Sequence, residues 1–289
     1  MAEHEWRSLP GTPCWVNLMA RNLDEARRFY GTLLGWEFRR ARSERLGPYV
    51  EATAHGVAVA GLGSMARDMG FPVSWTVFFS AVSADQTAQA VRESGGTVAV
   101  GPLGFQDGRA AVAADPAGAA FGIWQGDKSP GWRMRRLRGV PVWIELQTRD
   151  AFAAAVFYGE VFRWGSDPEG RSDVAWEHDR VVLRVDGHPV AGLCGGAVEA
   201  APDPQIRPRW DVYFAVSDAD AAARDTAALG GEVVGPPTDT PYGRVAVLRD
   251  SEGGLFRVAD LSGATACGEP EDGVPAELGR ADEERGAAE

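Results

Sequence analysis

Residues 14–38 read CWVNLMARNLDEARRFYGTLLGWEF. Trp15, Asn17 and Met19 alternate with Val16, Leu18 and Ala20, and this period of two predicts a strand. Asn22 or Asp24 can cap a helix after it. In that helix Ala26, Phe29, Tyr30, Leu33 and Leu34 fall on one face, and Gly35 ends it. The same pattern returns at residues 142–165, VWIELQTRDAFAAAVFYGEVFRWG. Trp143 stands where Trp15 stood, Phe157-Tyr158 where Phe29-Tyr30 stood, and Trp164 where Trp36 stood.

The repeat divides the 289 residues into two alike domains. Residues 1–12 read as a loose arm, 13–125 as domain one, 126–139 as a linker, 140–262 as domain two and 263–289 as an acidic disordered tail. Each domain holds the strand-helix pattern twice. In domain one it recurs at Trp75–Val82 and Asp85–Ser94, with Gly95-Gly96 closing the helix and Asp115-Pro116-Ala117-Gly118 as a turn before the last strand. Domain two answers with Trp210–Val216, Gly230-Gly231 and Asp250-Ser251-Glu252-Gly253. Its second half is displaced by a short insertion, placed at the loop from Glu199 to Pro208.

Composition bounds the function. The formal charge of −12 argues against nonspecific binding to nucleic acid or to an anionic membrane. No segment is apolar enough for a membrane span, and the N-terminus has no signal-peptide run. Three cysteines, Cys14, Cys194 and Cys267, predict no disulfide framework and a reducing, cytoplasmic setting. The linker carries five basic residues and one acid, which reads as a solvated connector rather than a phosphate site. The tail from Gly268 carries eight acids and two arginines and cannot bury a core.

The FY-bearing helix, the GG helix end, the Gly-Arg strand (Gly108-Arg109, Gly243-Arg244) and the DPxG turn, occurring twice in order, resemble the vicinal oxygen chelate superfamily. This is the group of glyoxalases, bleomycin-resistance proteins and extradiol dioxygenases. The resemblance covers residues 12–262 and is greatest to bacterial two-domain members. It implies an α+β fold of tandem βαβββ units, with curved half-open sheets forming clefts. In metal-dependent members, His, Gln or Glu ligands come from the first strand of each unit and from the last. Those places fall on Trp15 and Thr76, with Gly122, in domain one, and on Trp143 and Asp211, with Arg257, in domain two. Of these only Asp211 is a good ligand; a register slip of two adds Glu145 as its one partner. The four histidines, His4, His55, His178 and His188, read as surface residues. No metal and no cofactor are therefore expected.

The inward faces differ between the clefts. Domain one offers Trp15, Asn17, Met19, Thr76, Phe78, Gly122 and Trp124, the composition of a pocket for a flat organic ligand. Domain two offers Trp143, Glu145, Gln147, Asp211, Tyr213 and Arg257. There Glu145 or Asp211 could act as a base, with Arg257 or Tyr213 stabilising negative charge. The plainer reading is a satisfied network in which Arg257 pairs with both Asp211 and Glu145. Trp36, Trp75, Trp164 and Trp210 read as core beneath helices. The leading expectation is a metal-independent protein that binds an aromatic or polycyclic small molecule. The alternative is a metal-free enzyme of secondary metabolism: an isomerase, cyclase, lyase or hydrolase. A metal-dependent glyoxalase or dioxygenase comes third. Fused copies suggest a monomer with internal pseudo-twofold symmetry, or a homodimer.

Overall fold

The computed structural model describes residues 9–40, 47–64, 66, 70–105, 107–126, 137–166, 170–177, 179–196 and 207–264. The arm before Leu9, most of the linker, the tail beyond Ala264, His4, His178 and Cys267 lie outside these residues.

Domain one runs β1 (Pro13–Met19), α1 (Leu23–Leu34), β2 (Glu37–Arg40), β3 (Tyr49–Ala54) and β4 (Val57–Gly63), then β5 (Ser74–Ser80), α2 (Ala84–Glu93), β6 (Thr97–Phe105), β7 (Gly108–Ala114) and β8 (Ala120–Gln125). Domain two repeats it: β9 (Pro141–Gln147), α3 (Ala151–Phe162), β10 (Ser172–Glu177), β11 (Arg180–Val185) and β12 (His188–Cys194), then β13 (Arg209–Ala215), α4 (Ala219–Ala228), β14 (Glu232–Thr240), β15 (Gly243–Arg249) and β16 (Leu255–Asp260). Each domain forms one eight-stranded sheet, ordered β2-β3-β4-β1-β5-β8-β7-β6 and β10-β11-β12-β9-β13-β16-β15-β14. The fold is α+β, built from tandem βαβββ units as expected. In each domain the first strands of the two units, β1 with β5 and β9 with β13, join antiparallel at the middle of the sheet.

Local chemistry sets the helix ends. Asn22, not Asp24, caps α1, accepting from the amides of Asp24 and Glu25. Ser83, Asp150 and Asp218 cap α2, α3 and α4 in the same way. Gly35 ends α1 in the left-handed region, where Arg163 does so for α3. The Gly-Arg strands tie helix to hairpin: Arg109 pairs with Asp85 in the first turn of α2, and Arg244 with Asp220 in that of α4.

The core lies between the domains. One buried cluster draws on both. Strand β5 packs against β13, with Trp75 on Phe214 at 5.1 Å and Phe79 on Trp210 at 5.2 Å between ring centres. The α1 side chain Phe29 meets Phe256, and the α3 side chain Phe157 meets Phe121. Trp36, Trp75, Trp164 and Trp210 therefore sit at this seam, which is more than burial under a helix of their own domain. The indole of Trp36 donates to the carbonyl of Gly139 and that of Trp164 to Gly11. The second glycine of each GG pair has the same cause. A side chain on Gly96 would press on the Phe157 ring and on the Ala114 carbonyl, and one on Gly231 would press on Phe29.

Two expectations need correction. The last residues of the arm are not loose, because Gly11 hydrogen-bonds Ser80 and Thr12 is buried. The extra length of domain two enters in two places, between α3 and β11 and between β12 and β13. Its second share falls on residues that include 197–206, outside those described.

Candidate functional site

Strand alternation sends Val16 and Leu18 into the core and leaves Trp15, Asn17 and Met19 half-buried on the other face. Register assembles the rest. Asn17 lies opposite Thr76 on one side and Gly61 on the other, Trp15 opposite Phe78, and Phe78 opposite Gly122. A β-carbon on Gly122 would strike the Phe78 ring, and one on Gly61 would strike the Tyr49 hydroxyl. Both glycines are thus the floor on which these rings lie. The Trp15 indole donates to the Tyr49 hydroxyl at 3.2 Å, and burial pushes that phenol up to about 12. Phe105 leans on Trp124 with ring centres 6.4 Å apart. The face is aromatic, and Phe78, Trp124 and Tyr49 are each half-buried. The side chains of Asn17 and Thr76 make no hydrogen bond to any described residue.

In domain two the same positions hold charge. Glu145 lies opposite Asp211 on the neighbouring strand, and both carboxylates are buried. Glu145 accepts from Arg180 Nη1, from Gln147 Nε2 at 2.7 Å and from the Tyr213 hydroxyl at 2.8 Å. Asp211 accepts from Arg209 at 2.8 Å and from Arg257 at 2.9 Å. The arginine on Glu145 is therefore Arg180, and the expectation that Arg257 bridges both acids is corrected. Arg257 also lies over the Tyr213 ring. Burial, with Glu145 beside it, holds the Tyr213 phenol well above its ordinary value. The same two causes push the half-buried Cys194 thiol up to about 12. Trp143 lies over Gly192.

The second cleft is closed by its own side chains. Arg180, on the second strand of its sheet, stacks on Tyr242, in the turn before the seventh, at 4.8 Å. In a flat sheet five strand spacings, about 24 Å, would separate them. The sheet is curled until its two halves touch across Glu145.

Register sets Trp15, Asn17, Thr76, Phe78 and Gly122 side by side in domain one, with Met19 opposite Ser74 and Trp124 opposite Ser80 toward the two ends of that face. In domain two it sets Trp143 opposite Tyr213, Glu145 opposite Asp211 and Tyr213 opposite Arg257. Gln147 belongs to the charged network, where it was expected on a ligand wall. Sequence reasoning missed Arg180, Arg209, Tyr242, Tyr49 and Phe105. Strand pairing places Tyr49 and Arg180 at equivalent positions, opposite Gly63 and Cys194. The repeat therefore held a signal for both. His55 and His188 are exposed, as expected. Cys14 and Cys194 are free thiols. Among the described residues no helix is long and apolar enough to cross a membrane.

Paired βαβββ units in two eight-stranded sheets define the class: the chain belongs to the glyoxalase-like, or vicinal oxygen chelate, superfamily, in its two-domain type. Residues 143–259 match the family described as glyoxalase-like domain. The chain is similar to the anthracycline biosynthesis protein DauV of Streptomyces sp. (strain C5), 33% identical over 269 residues that cover 88% of this chain and 95% of the relative. It is similar to CFP32 of Mycobacterium tuberculosis (strain CDC 1551 / Oshkosh), 35% identical over 253 residues, 86% of this chain and 94% of the relative. Among solved structures, the Mn(II)-bound glyoxalase from Novosphingobium aromaticivorans has the same fold, with a TM-score of 0.55 at 18% identity, covering 88% of this chain and 84% of that one.

Proposed function

We propose that the chain binds a flat aromatic or polycyclic metabolite on the face of domain one, without a metal ion. The observation that carries this reading is the Trp15, Tyr49, Phe78 and Trp124 wall, which is half-buried and set around the unbonded Asn17 amide. Such a surface offers stacking area and one neutral polar group for orientation. The likeness to DauV, an anthracycline biosynthesis protein, supports the ligand class, since anthracyclines are planar polycycles.

The donor set does not fit a divalent ion. Trp15, Thr76 and Gly122 supply no strong ligand. Glu145 and Asp211 are already held by Arg180, Arg209 and Arg257, whose positive charge repels a cation. A glyoxalase or dioxygenase reaction that runs through a metal is disfavoured on this ground.

A second reading, a metal-free enzyme with a carboxylate base in domain two, rests on the convergence of Glu145, Asp211, Tyr213 and Arg257. Its weakness is geometric. Each carboxylate already accepts two or three hydrogen bonds, so a substrate proton must displace one of them.

Tryptophan fluorescence and melting temperature, titrated with an anthracycline, a naphthoquinone and an aliphatic acid, test the proposal. Saturable quenching by the planar compounds alone is expected. Affinity should fall about tenfold or more in Trp15→Ala and stay unchanged in Glu145→Gln. Lack of quenching by every planar compound would sink it.

A further inference from the structure

The two halves of the molecule are built alike, and one surface breaks the likeness. Helix α1 turns Asp24, Glu25, Arg27 and Arg28 outward, where Arg27 pairs with Asp24 and Arg28 with Glu25. At the same four places α3 carries Phe152, Ala153, Ala155 and Val156. Phe152 is 72% exposed and Val156 46%. On the neighbouring edge strand β10, Trp176 is 61% exposed. Its cross-strand partner Val181 points into the core that α3 covers, so Trp176 lies on the α3 side of the sheet. The matching place in domain one is held by Arg40, opposite Val50.

Gly159 adds a second observation. A glycine inside a helix costs about 1 kcal/mol relative to alanine. In α1 the equivalent Gly31 has a reason, because a side chain there would press on Phe38. At Gly159 a β-carbon would meet nothing within 4 Å. The fold of the single chain does not need this glycine. It shares one helical stripe with Phe152 and Val156, at the spacing of i, i+4 and i+7.

We infer that this face of α3 docks a second copy of the chain. The stripe is self-complementary, as a twofold interface requires. In an antiparallel pairing centred between Ala155 and Val156, Phe152 of each copy falls opposite Gly159 of the other. The ring then fills the space that the glycine leaves open, and the alanines allow the helices to approach. The pairing also brings the exposed Arg149 of each copy near the level of the other's exposed Glu160, joining opposite charges at the rim. Phe152, Trp176, Val156 and the alanines supply roughly 400 Å² of apolar surface per copy. A stable dimer buries about 800 Å² per partner, and its rim is polar. The dimer is thus of moderate affinity and depends on concentration.

Sedimentation velocity on the full chain over a wide concentration range tests this. Wild type should show a reversible monomer–dimer equilibrium. Phe152→Asp should weaken it at least about 30-fold. Gly159→Arg should weaken it as much, although it leaves every exposed apolar residue in place. Both variants should melt as wild type does; if Phe152→Asp melts early, Gly159→Arg decides. A wild type that stays monomeric at every concentration overturns the proposal, as does a dimer that Gly159→Arg leaves equally tight.

Discussion

The hydroxyl of Tyr30 donates to Asp250 at 2.9 Å, 220 positions along the chain and in the other domain. Tyr158 does the same to Asp115 at 3.2 Å. Each phenol also accepts from an indole, Trp75 on Tyr30 and Trp210 on Tyr158. Each aspartate uses its other oxygen to close its own DPxG-type turn, on Ala119 and on Gly254.

Removing either hydroxyl strands a buried indole and a buried carboxylate oxygen. Tyr30→Phe and Tyr158→Phe should each cost about 1–3 kcal/mol. Urea unfolding followed by tryptophan fluorescence should show a lower midpoint in both and a single transition in both. Two separated transitions in either variant would contradict a core shared by the domains.

The same aspartates give a pH signature. Burial raises both carboxyls above their ordinary value of 3.8, against the backbone amides that hold them down. A carboxyl with a raised folded value binds more protons folded than unfolded. Its contribution is complete below 3.8 and is lost as pH rises through the folded value. The stability of wild type relative to Asp115→Asn should therefore fall as pH increases across that window. Urea midpoints taken from acid to neutral pH measure it; a difference that rises with pH would refute the assignment.

Arg180 neutralises a buried acid that has only neutral donors besides. Arg180→Met should cost about 3 kcal/mol, because it removes the one guanidinium hydrogen-bonded to the buried Glu145 side chain. Arg209→Met should cost about 1 kcal/mol or less, since Asp211 keeps Arg257. Adding Glu145→Gln to Arg180→Met should restore most of the loss. Chemical denaturation of the three variants checks the order, and an Arg180→Met protein as stable as wild type would contradict it.

Chelation provides a fourth check. The protein passed through EDTA should melt at an unchanged temperature, and added Mn²⁺ or Zn²⁺ should not raise it. A saturable rise at one ion per chain, lost in Glu145→Gln, would show that the guanidiniums yield their carboxylates to a cation.

The fold was legible because the repeat carries it. Trp15 and Trp143, the two FY pairs, the double glycines and the aspartate turns all recur in order, and each fixes a backbone event. What these residues touch was not legible. Spacing put Tyr30 on the buried face of α1 but could not say that its hydroxyl leaves the domain. The closing-strand position of Arg257 points to both acids, whereas in the structure Arg257 holds Asp211 and Arg180 holds Glu145. Arg180 reaches Glu145 from two strands away, a span of about 10 Å that long side chains bridge and that strand periodicity does not report. Alternation separates Trp15 and Asn17 from the buried Val16 and Leu18, while Tyr49, Phe105, Arg209 and the Arg180–Tyr242 closure of the second cleft come from other strands and were not readable in this way.

The seam and the clefts depend on the other half of the molecule to opposite degrees. At the seam each half completes the other: Tyr30 needs Asp250, Tyr158 needs Asp115, and the two indoles hold Gly139 and Gly11. A change on one side of the seam strands a buried partner on the other side. The cleft networks described here, Trp15 with Tyr49 and Glu145 with Arg180, Gln147 and Tyr213, each lie within one domain. One face carries neutral aromatics and the other paired ions, an asymmetry that a dimer of identical chains, encoded once, has no means to acquire.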